Sequence, residues 1–341
     1  MVPASVCVVV PVYNGARTLP ACLDALLVAI PAGTHVVIVD DASTDGSGDL
    51  ARARGVTVIT HAAQVGPSAA RNTGWRSHSA EAYVFVDADV VVRPDAIGRL
   101  LTRLAVGDVV GVNGVLSPDR MSDTVSDFVN ISLCFQHRRH GDRVAAAFTS
   151  LCVLRRDALV SMGGWNERWS SRYADDVETR FHLPPRALAV DFDAVGHHAK
   201  HVRWWGLMKH RARVGAFFAS SIAEHADVVR LSPSVAVVDL RYPLNTLAAF
   251  SLSLAALAAP SQPAVAASAL IACTAAFCLN NLEFLGHVAR ARSLPTAGAW
   301  FVLTLTESFA LAAGLLAGTS AVLFAALRNR TFRKRPSPEV P

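Results

Sequence analysis

The sequence predicts an α/β domain built on a doubly wound, mixed sheet, followed by a membrane domain of apolar helices. Three observations predict it. Short Val-rich runs alternate with helix-like segments through about residue 230. Two of those runs end in carboxylates, Asp40-Asp41 and Asp87-Ala88-Asp89. Residues 242–327 are almost all Ala, Leu, Val, Phe, Ser and Thr. A length of 341 residues suits roughly two domains. The expected division is 1–225 for the first domain and 226–341 for the second.

Residues 5–10 form the first expected strand, which ends at the loop Pro11-Val12-Tyr13-Asn14-Gly15. A helix follows over 18–30. Residues 35–39 form the second strand. The turn Ala42-Ser43-Thr44-Asp45-Gly46 can cap the next helix. A third strand covers 56–60, and a Gly-Pro turn opens a helix over 66–79 that holds Arg71. Residues 82–86 are the fourth strand and lead into Asp87. This βαβα order with helical crossovers implies parallel pairing in this half of the domain. Beyond it, strands are expected over 109–116, 145–154 and 187–191, and helices over 123–140, 155–161 and 175–183. Residues 203–223 mix Trp204, Trp205, Phe217 and Phe218 with basic residues, and read as an amphipathic helix on the membrane surface.

The paired carboxylates carry the chemistry. In an open α/β sheet, ligands bind outside the carboxyl ends of the strands. Two aspartates spaced i, i+2 offer hard oxygen ligands to Mg²⁺ or Mn²⁺, with phosphates filling the remaining positions.

Three apolar stretches follow, 242–260, 264–283 and 298–327. Spanning takes about 20 residues, so the first two are expected to form a hairpin across the bilayer. Arg241 precedes the first stretch, and His287, Arg290 and Arg292 follow the second. Basic flanks place both ends of that hairpin in the cytoplasm, beside the first domain. The tail 328–341 begins with a basic run and is expected there too. A single crossing by 298–327 would put the tail outside. A re-entrant hairpin bent near Gly314 and Gly318, or an interfacial helix, would resolve the conflict. The net charge of +5 comes without a nucleic-acid motif, so the basic tail reads as a topology determinant beside anionic lipid. No signal peptide is expected at the start, because SVCVVVPVY is short and lacks a basic flank. Six cysteines without metal spacing read as reduced, small apolar residues.

The motifs PVYNGARTL, VVIVDDASTDGS, GPSAARNTGW, VFVDADVVVRPDAI, GGWNERW and DDVETRF occur in this order. Together they resemble family 2 glycosyltransferases of the GT-A fold, in particular membrane-tethered bacterial enzymes of surface polysaccharide or glycolipid synthesis. The resemblance covers roughly residues 5–215. It implies that Pro11, Tyr13, Asn14, Asp40 and Asp41 hold the nucleoside, with Arg71 near the diphosphate. It implies that Asp89 is a direct metal ligand, with Asp87 on ribose or metal. Gly163, Gly164, Trp165 and Asp175 would shape the sugar and acceptor pocket, and Asp176 would be the catalytic base. Asp175 stands where the family has Glu. His197 or His198 would add a metal or phosphate contact. Adjacent residues of a strand face opposite ways, so at most one serves; His198 is taken as the candidate, and which of the two faces the site stays open.

One family motif is absent. Processive members carry QxxRW, and here Lys200 stands where Gln would precede Arg203-Trp204. Arg211 and Arg213 could instead bind a phosphate of the donor or of a lipid acceptor. The resemblance therefore implies inverting, metal-dependent transfer of single sugars from a nucleotide-diphosphate sugar to a polyprenyl-linked or glycan acceptor at the cytoplasmic face. Two other readings stay open. One is a non-catalytic membrane scaffold, which the intact acidic motifs oppose. The other is a sugar nucleotidyltransferase, which usually opens with a Gly-rich basic loop that PVYNGARTL does not match.

Overall fold

The structure is a computed structural model that describes residues 2–139, 141–167, 179–184, 186–224 and 241–333, with side chains through 327. It divides into two compact units, Met1–Val202 and Arg203–Pro341. The helix expected to close the first domain therefore groups with the second unit.

In the first unit, strand β1 (Val6–Val12) leads through α1 (Leu19–Ala29) to β2 (His35–Asp40), α2 (Ser47–Arg52), β3 (Thr57–Thr60), α3 (Pro67–Ser77) and β4 (Ala82–Val86). Next come β5 (Val90–Val92), α4 (Ala96–Ala105), β6 (Gly111–Leu116), α5 (Thr124–Arg139), β7 (Arg143–Val144), β8 (Leu151–Arg155) and α6 (Arg156–Ser161). After a 3-10 turn at Thr179–Phe181, β9 (Leu188–His198) completes the sheet.

The strand order is β3-β2-β1-β4-β8-β6-β9-β5, with β7 paired to β9. The β1–β2, β1–β4 and β2–β3 pairs are parallel. Strand β8 runs antiparallel to both β4 and β6, which makes the sheet mixed. Side chains alternate across the sheet, and both faces are covered. Val8 and Val10 join the core under α1 and α4 with Leu23, Leu26, Ile97 and Leu100. Cys7 and Val9 join the opposite core with Ala70, Leu159 and Trp165. Burial on both faces is why these strands read as unbroken apolar runs.

Register sets the site. Val12 pairs with Asp40, and Asp40 with Thr60, so β1, β2 and β3 end on one edge. Val9 pairs with Phe85, which brings the end of β4 to that edge. Two expectations need adjustment here. Of the strand expected over 145–154 only the end forms, as β8 (Leu151–Arg155), and residues 145–150 are turn and irregular chain after β7. The strand expected over 187–191 continues to His198 as β9.

The second unit holds α7 (Trp204–Glu224), α8 (Arg241–Ala258), α9 (Pro263–Ala291) and α10 (Leu294–Arg333). Two helices are long and apolar enough to cross a membrane, Pro263–Ala291 and the Leu294–Leu327 part of α10. The first expected span, 242–260, is helical but falls short of that description. Its 18 residues rise only about 27 Å, and they include Arg241 and Asn245. A hairpin bent near Gly314 and Gly318, one of the two resolutions left open by the sequence, does not form, because α10 is one helix of 40 residues.

Those glycines have another use. A Cβ on Gly314 would overlap the Ala212 carbonyl oxygen, and one on Gly318 would stand 2.6 Å from that of Ala216. The missing side chains let α7 lie backbone to backbone along α10, as small residues do between apolar helices. Arg211 pairs with Glu307 at 2.7 Å in the same seam. The order of these contacts makes the two helices run in the same direction. The stretch 203–223, expected as a surface helix, thus packs along α10 through these small residues. In α8 and α9, Asn245 accepts from Asn280 and Asn281, each at 2.8 Å. Asn281 also donates to the Phe277 carbonyl at 2.8 Å. Amides enclosed between apolar helices satisfy one another because their surroundings offer few other polar partners.

Candidate active site

The loops after β1 and β2 are tied together by short polar side chains. Asn14 holds a left-handed backbone, with φ of 51°. Its N–H donates to Ser43 Oγ at 2.9 Å, and its Oδ1 accepts from the Thr44 N–H at 2.9 Å. The Gly15 N–H donates to Ser47 Oγ, and the Ala16 N–H to Asp45 Oδ2, both at 2.9 Å. These bonds hold PVYNG against DDASTDGS, with Tyr13 exposed above and Pro11 paired with Val39 inside the sheet.

Asp40 and Asp41 divide. Asp40 Oδ1 accepts from the Ser43 N–H at 3.0 Å and sets the loop. Asp41 is buried, and its carboxylate accepts from the N–H groups of Val65 and Gly66 at 2.9 and 2.8 Å. His61 Nδ1 lies 2.8 Å from Asp41 Oδ1, and its Nε2 lies 2.9 Å from Thr73 Oγ1. The residue expected to read the nucleoside thus anchors the turn that starts α3.

At the end of β4 the two aspartates have different partners. Arg71, buried on α3, donates from Nη2 to Asp87 Oδ1 at 2.7 Å. Its guanidinium lies over the Trp165 ring, 5.6 Å from the centroid. Asp89 Oδ2 lies 3.7 Å from His198 Nε2 and 3.6 Å from Lys200 Nζ. The Ala199 N–H donates to the Asp89 carbonyl at 2.7 Å, and Val90 pairs with His198 across β5 and β9. Burial would push the Asp89 carboxyl up. The nearby His198 imidazole and the Lys200 ammonium outweigh burial and hold it low, at about 2. Alternation along β9 separates the two histidines: His198 faces Asp89, while His197 Nδ1 meets Asp119 Oδ2 at 2.8 Å.

Among the described residues, no three carboxylate, imidazole or thiol groups converge on one point. Asp89 and His198 nevertheless offer one oxygen and one nitrogen at 3.7 Å. Two ligands of one Mg²⁺ or Mn²⁺ stand about 3–4 Å apart when each lies near 2.1 Å from the ion. The pair fits a divalent cation whose other ligands are phosphate and water. Asp87 is held by Arg71 and faces the same edge.

A third element is the loop after α6. Gly163 and Gly164 both have positive φ, 71° and 85°. A Cβ on Gly164 would stand 2.5 Å from Asn72 Oδ1. Buried Asn72 is the hub of this loop. Its Oδ1 accepts from the Trp165 N–H at 2.9 Å and from Trp75 Nε1 at 3.0 Å. Its Nδ2 donates to the Trp165 carbonyl at 2.8 Å and to Glu167 Oε1 at 2.6 Å. An open cavity of about 340 Å³ lies here, lined by Arg76, Asn166, Glu167 and His182 among others.

Asp175 and Asp176 lie outside the described residues. Arg211 belongs to the second unit, where Glu307 takes its guanidinium, in place of the phosphate expected for it. Arg213 lies two residues further along the same helix. Two residues at the site were assigned no role from sequence. Asn72 sits inside the motif GPSAARNTGW, and Lys200 stands where the processive motif has Gln.

Residues 7–159 match the family model described as glycosyl transferase family 2. The chain is similar to the undecaprenyl-phosphate mannosyltransferase of Micrococcus luteus, 34% identical over 110 residues, covering 30% of this chain and 45% of that protein. It is similar to the succinoglycan biosynthesis protein ExoU of Rhizobium meliloti, 32% identical over 106 residues, covering 30% of this chain and 31% of the other. Matches to such curated relatives span between 16% and 45% of their length. Among solved structures, a mannosyltransferase from Pyrobaculum calidifontis in complex with GDP-Man and Mn²⁺ superposes with a TM-score of 0.60. It is 22% identical and the match covers 93% of this chain and 87% of that one, a likeness of fold. Over residues 7–159, somewhat under half of its length, the chain is similar to glycosyl transferase family 2.

Proposed function

We propose that the chain transfers a single sugar, with inversion, from a nucleotide-diphosphate sugar to a polyprenyl-linked or glycan acceptor at the cytoplasmic face of a membrane. The observation that carries this reading is Asp89 at the end of β4, ionised and facing His198 across β5 and β9. A half-buried carboxylate held low beside an imidazole is suited to a divalent cation and poorly suited to stability alone.

Asp89 and His198 would hold the cation, and Asp87 would face the ribose or the metal. When bound, that cation supplies charge neutralisation for the leaving diphosphate. Tyr13 and the braced loops of Asn14 and Ser43 would hold the base, with Asp40 and Asp41 keeping them in place. The Arg71–Asp87 pair sets the position of Asp87 against Trp165. Gly163, Gly164 and Trp165, fixed by Asn72, would form one wall of the sugar pocket, with Asp175 near it. Asp176 would accept the proton of the acceptor hydroxyl as that oxygen attacks the anomeric carbon. The bond from that carbon to the diphosphate breaks, and the diphosphate leaves with the electron pair.

Two apolar helices and the similarity to an undecaprenyl-phosphate transferase support a lipid-linked acceptor. The test is incubation of the full chain with radiolabelled nucleotide sugars, Mn²⁺ and membrane lipid extract. Label in the organic phase, dependent on the metal, is the expected result. Release of pyrophosphate from a sugar phosphate and a nucleoside triphosphate would instead make the protein a nucleotidyltransferase. No turnover of any donor would leave it a scaffold.

A further inference from the structure

Lys200 follows β9, on the segment that carries His198, and its ammonium lies 3.6 Å from Asp89 Oδ2. His198 Nε2 approaches the same oxygen, at 3.7 Å. The Lys200 side chain is 59% exposed, whereas those of Asp89 and His198 are 20% and 12% exposed. A half-buried carboxylate is thus paired with a cation on a long, solvent-facing stem. Arg71, also at this edge, is buried and bound to Asp87. Its charge is cancelled and its position is fixed.

Charge balance then gives Lys200 a task. A divalent cation on Asp89 brings like charge beside the ammonium and takes over its partner. What remains on the metal side is a single net positive charge, less than a nucleoside diphosphate carries in negative charge. Lys200 is the cation with the freedom to supply the difference: its ammonium rotates on four carbons and offers three donors. We propose that Lys200 is an exchanging counter-ion, which neutralises Asp89 while the metal is absent and turns to the donor's diphosphate when the metal binds. The inference rests on the nucleotide-sugar reading above and deepens it. It gives the same residue opposite effects on the two ligands. Lys200 competes with the cation for Asp89 and cooperates with it for the diphosphate.

The experiment titrates the full chain in detergent with Mn²⁺ alone, and then with UDP and GDP at saturating Mn²⁺. Wild type, Lys200→Gln and Lys200→Arg are compared by calorimetry. Lys200→Gln should bind Mn²⁺ alone more tightly than wild type. It should bind the diphosphate about ten-fold or more weakly, the worth of a charged hydrogen bond. Lys200→Arg should stay near wild type in both titrations. The position is largely exposed, so an unchanged melting temperature is expected and removes misfolding as an explanation. If wild type binds UDP or GDP and Lys200→Gln matches it in both titrations, the counter-ion role is overturned and the nucleotide-sugar reading stands. Weakening of both ligands together would also overturn it, since competition at Asp89 requires opposite signs. If wild type binds neither diphosphate, the nucleotide-sugar reading fails and takes this inference with it.

Discussion

Asn72→Ala should loosen the Gly163–Trp165 loop and lower the stability of the first unit. The Asn72 side chain makes four hydrogen bonds: it accepts from Trp165 N–H and Trp75 Nε1, and donates to the Trp165 carbonyl and Glu167. Only 1% of Asn72 is exposed and 3% of Trp165, so water cannot replace the lost partners without opening the loop. A buried donor or acceptor left unpaired costs about 1–3 kcal/mol. The N–H and C=O of Trp165 would both be stranded, for a total of about 2–6 kcal/mol. The bonds to Trp75 and Glu167 reach half-buried groups and add less. Terms within one network do not sum simply, so the lower part of that range is the safer expectation. The assay is denaturant unfolding of the full chain, followed by hydrogen exchange at the Trp165 amide. Faster exchange there, together with the loss of stability, is the expected result. A change under about 1 kcal/mol with the Trp165 amide still protected would refute the hub role of Asn72.

Three further outcomes are expected. Gly314→Leu should lower the melting temperature in detergent and separate α7 from α10, because overpacking costs about 1–3 kcal/mol. Gly298→Leu, where a Cβ would meet nothing within 4 Å, is its control and should change little. His35 stacks on His78 with ring centroids 4.0 Å apart, and burial, aided by the His78 charge, lowers its pKa. The folded chain therefore binds fewer protons than the unfolded chain below about pH 6.5, so stability is full above that pH and is lost as pH falls. Melting temperatures measured between pH 7.5 and pH 5.5 should fall further for wild type than for His35→Phe. A parallel fall would exclude His35 as a source. Asp176→Asn should keep donor affinity and slow transfer by about 10²–10⁴-fold. Loss of nucleotide binding with an unchanged rate per bound donor would make Asp176 a donor contact.

Sequence and structure agree where the signal is local. The Val-rich run before Asp87 marks β4, and its register with β1 puts Asp89 at the edge with Asn14 and Asp40. The two-residue period of β9 is enough to say that His197 and His198 face different ways, but only the pairing of β5 with β9 says which one meets Asp89. Helix α4, absent from the expected elements, is legible in its pattern: Ile97, Leu100, Leu101 and Leu104 have helical spacing and are buried. What stayed hidden depends on distant partners. Asp41 reads as an open carboxylate until the 61–66 segment folds over it. Arg211 reads as a phosphate ligand because Glu307 lies 96 positions away in the chain. The glycines of α10 read as a bend, since a stripe of small residues has no apolar moment to reveal that a second helix lies against it.

The most direct test of the central claim is Asp89→Asn, assayed for Mn²⁺-dependent donor binding and for transfer of labelled sugar to lipid extract. The substitution keeps the shape of the side chain and removes its charge, so the protein should fold with a near wild-type melting temperature. Metal-dependent binding and transfer should both be lost. Wild-type turnover by a folded Asp89→Asn at ordinary Mn²⁺ would contradict the assignment of the metal, and with it the mechanism built on the end of β4.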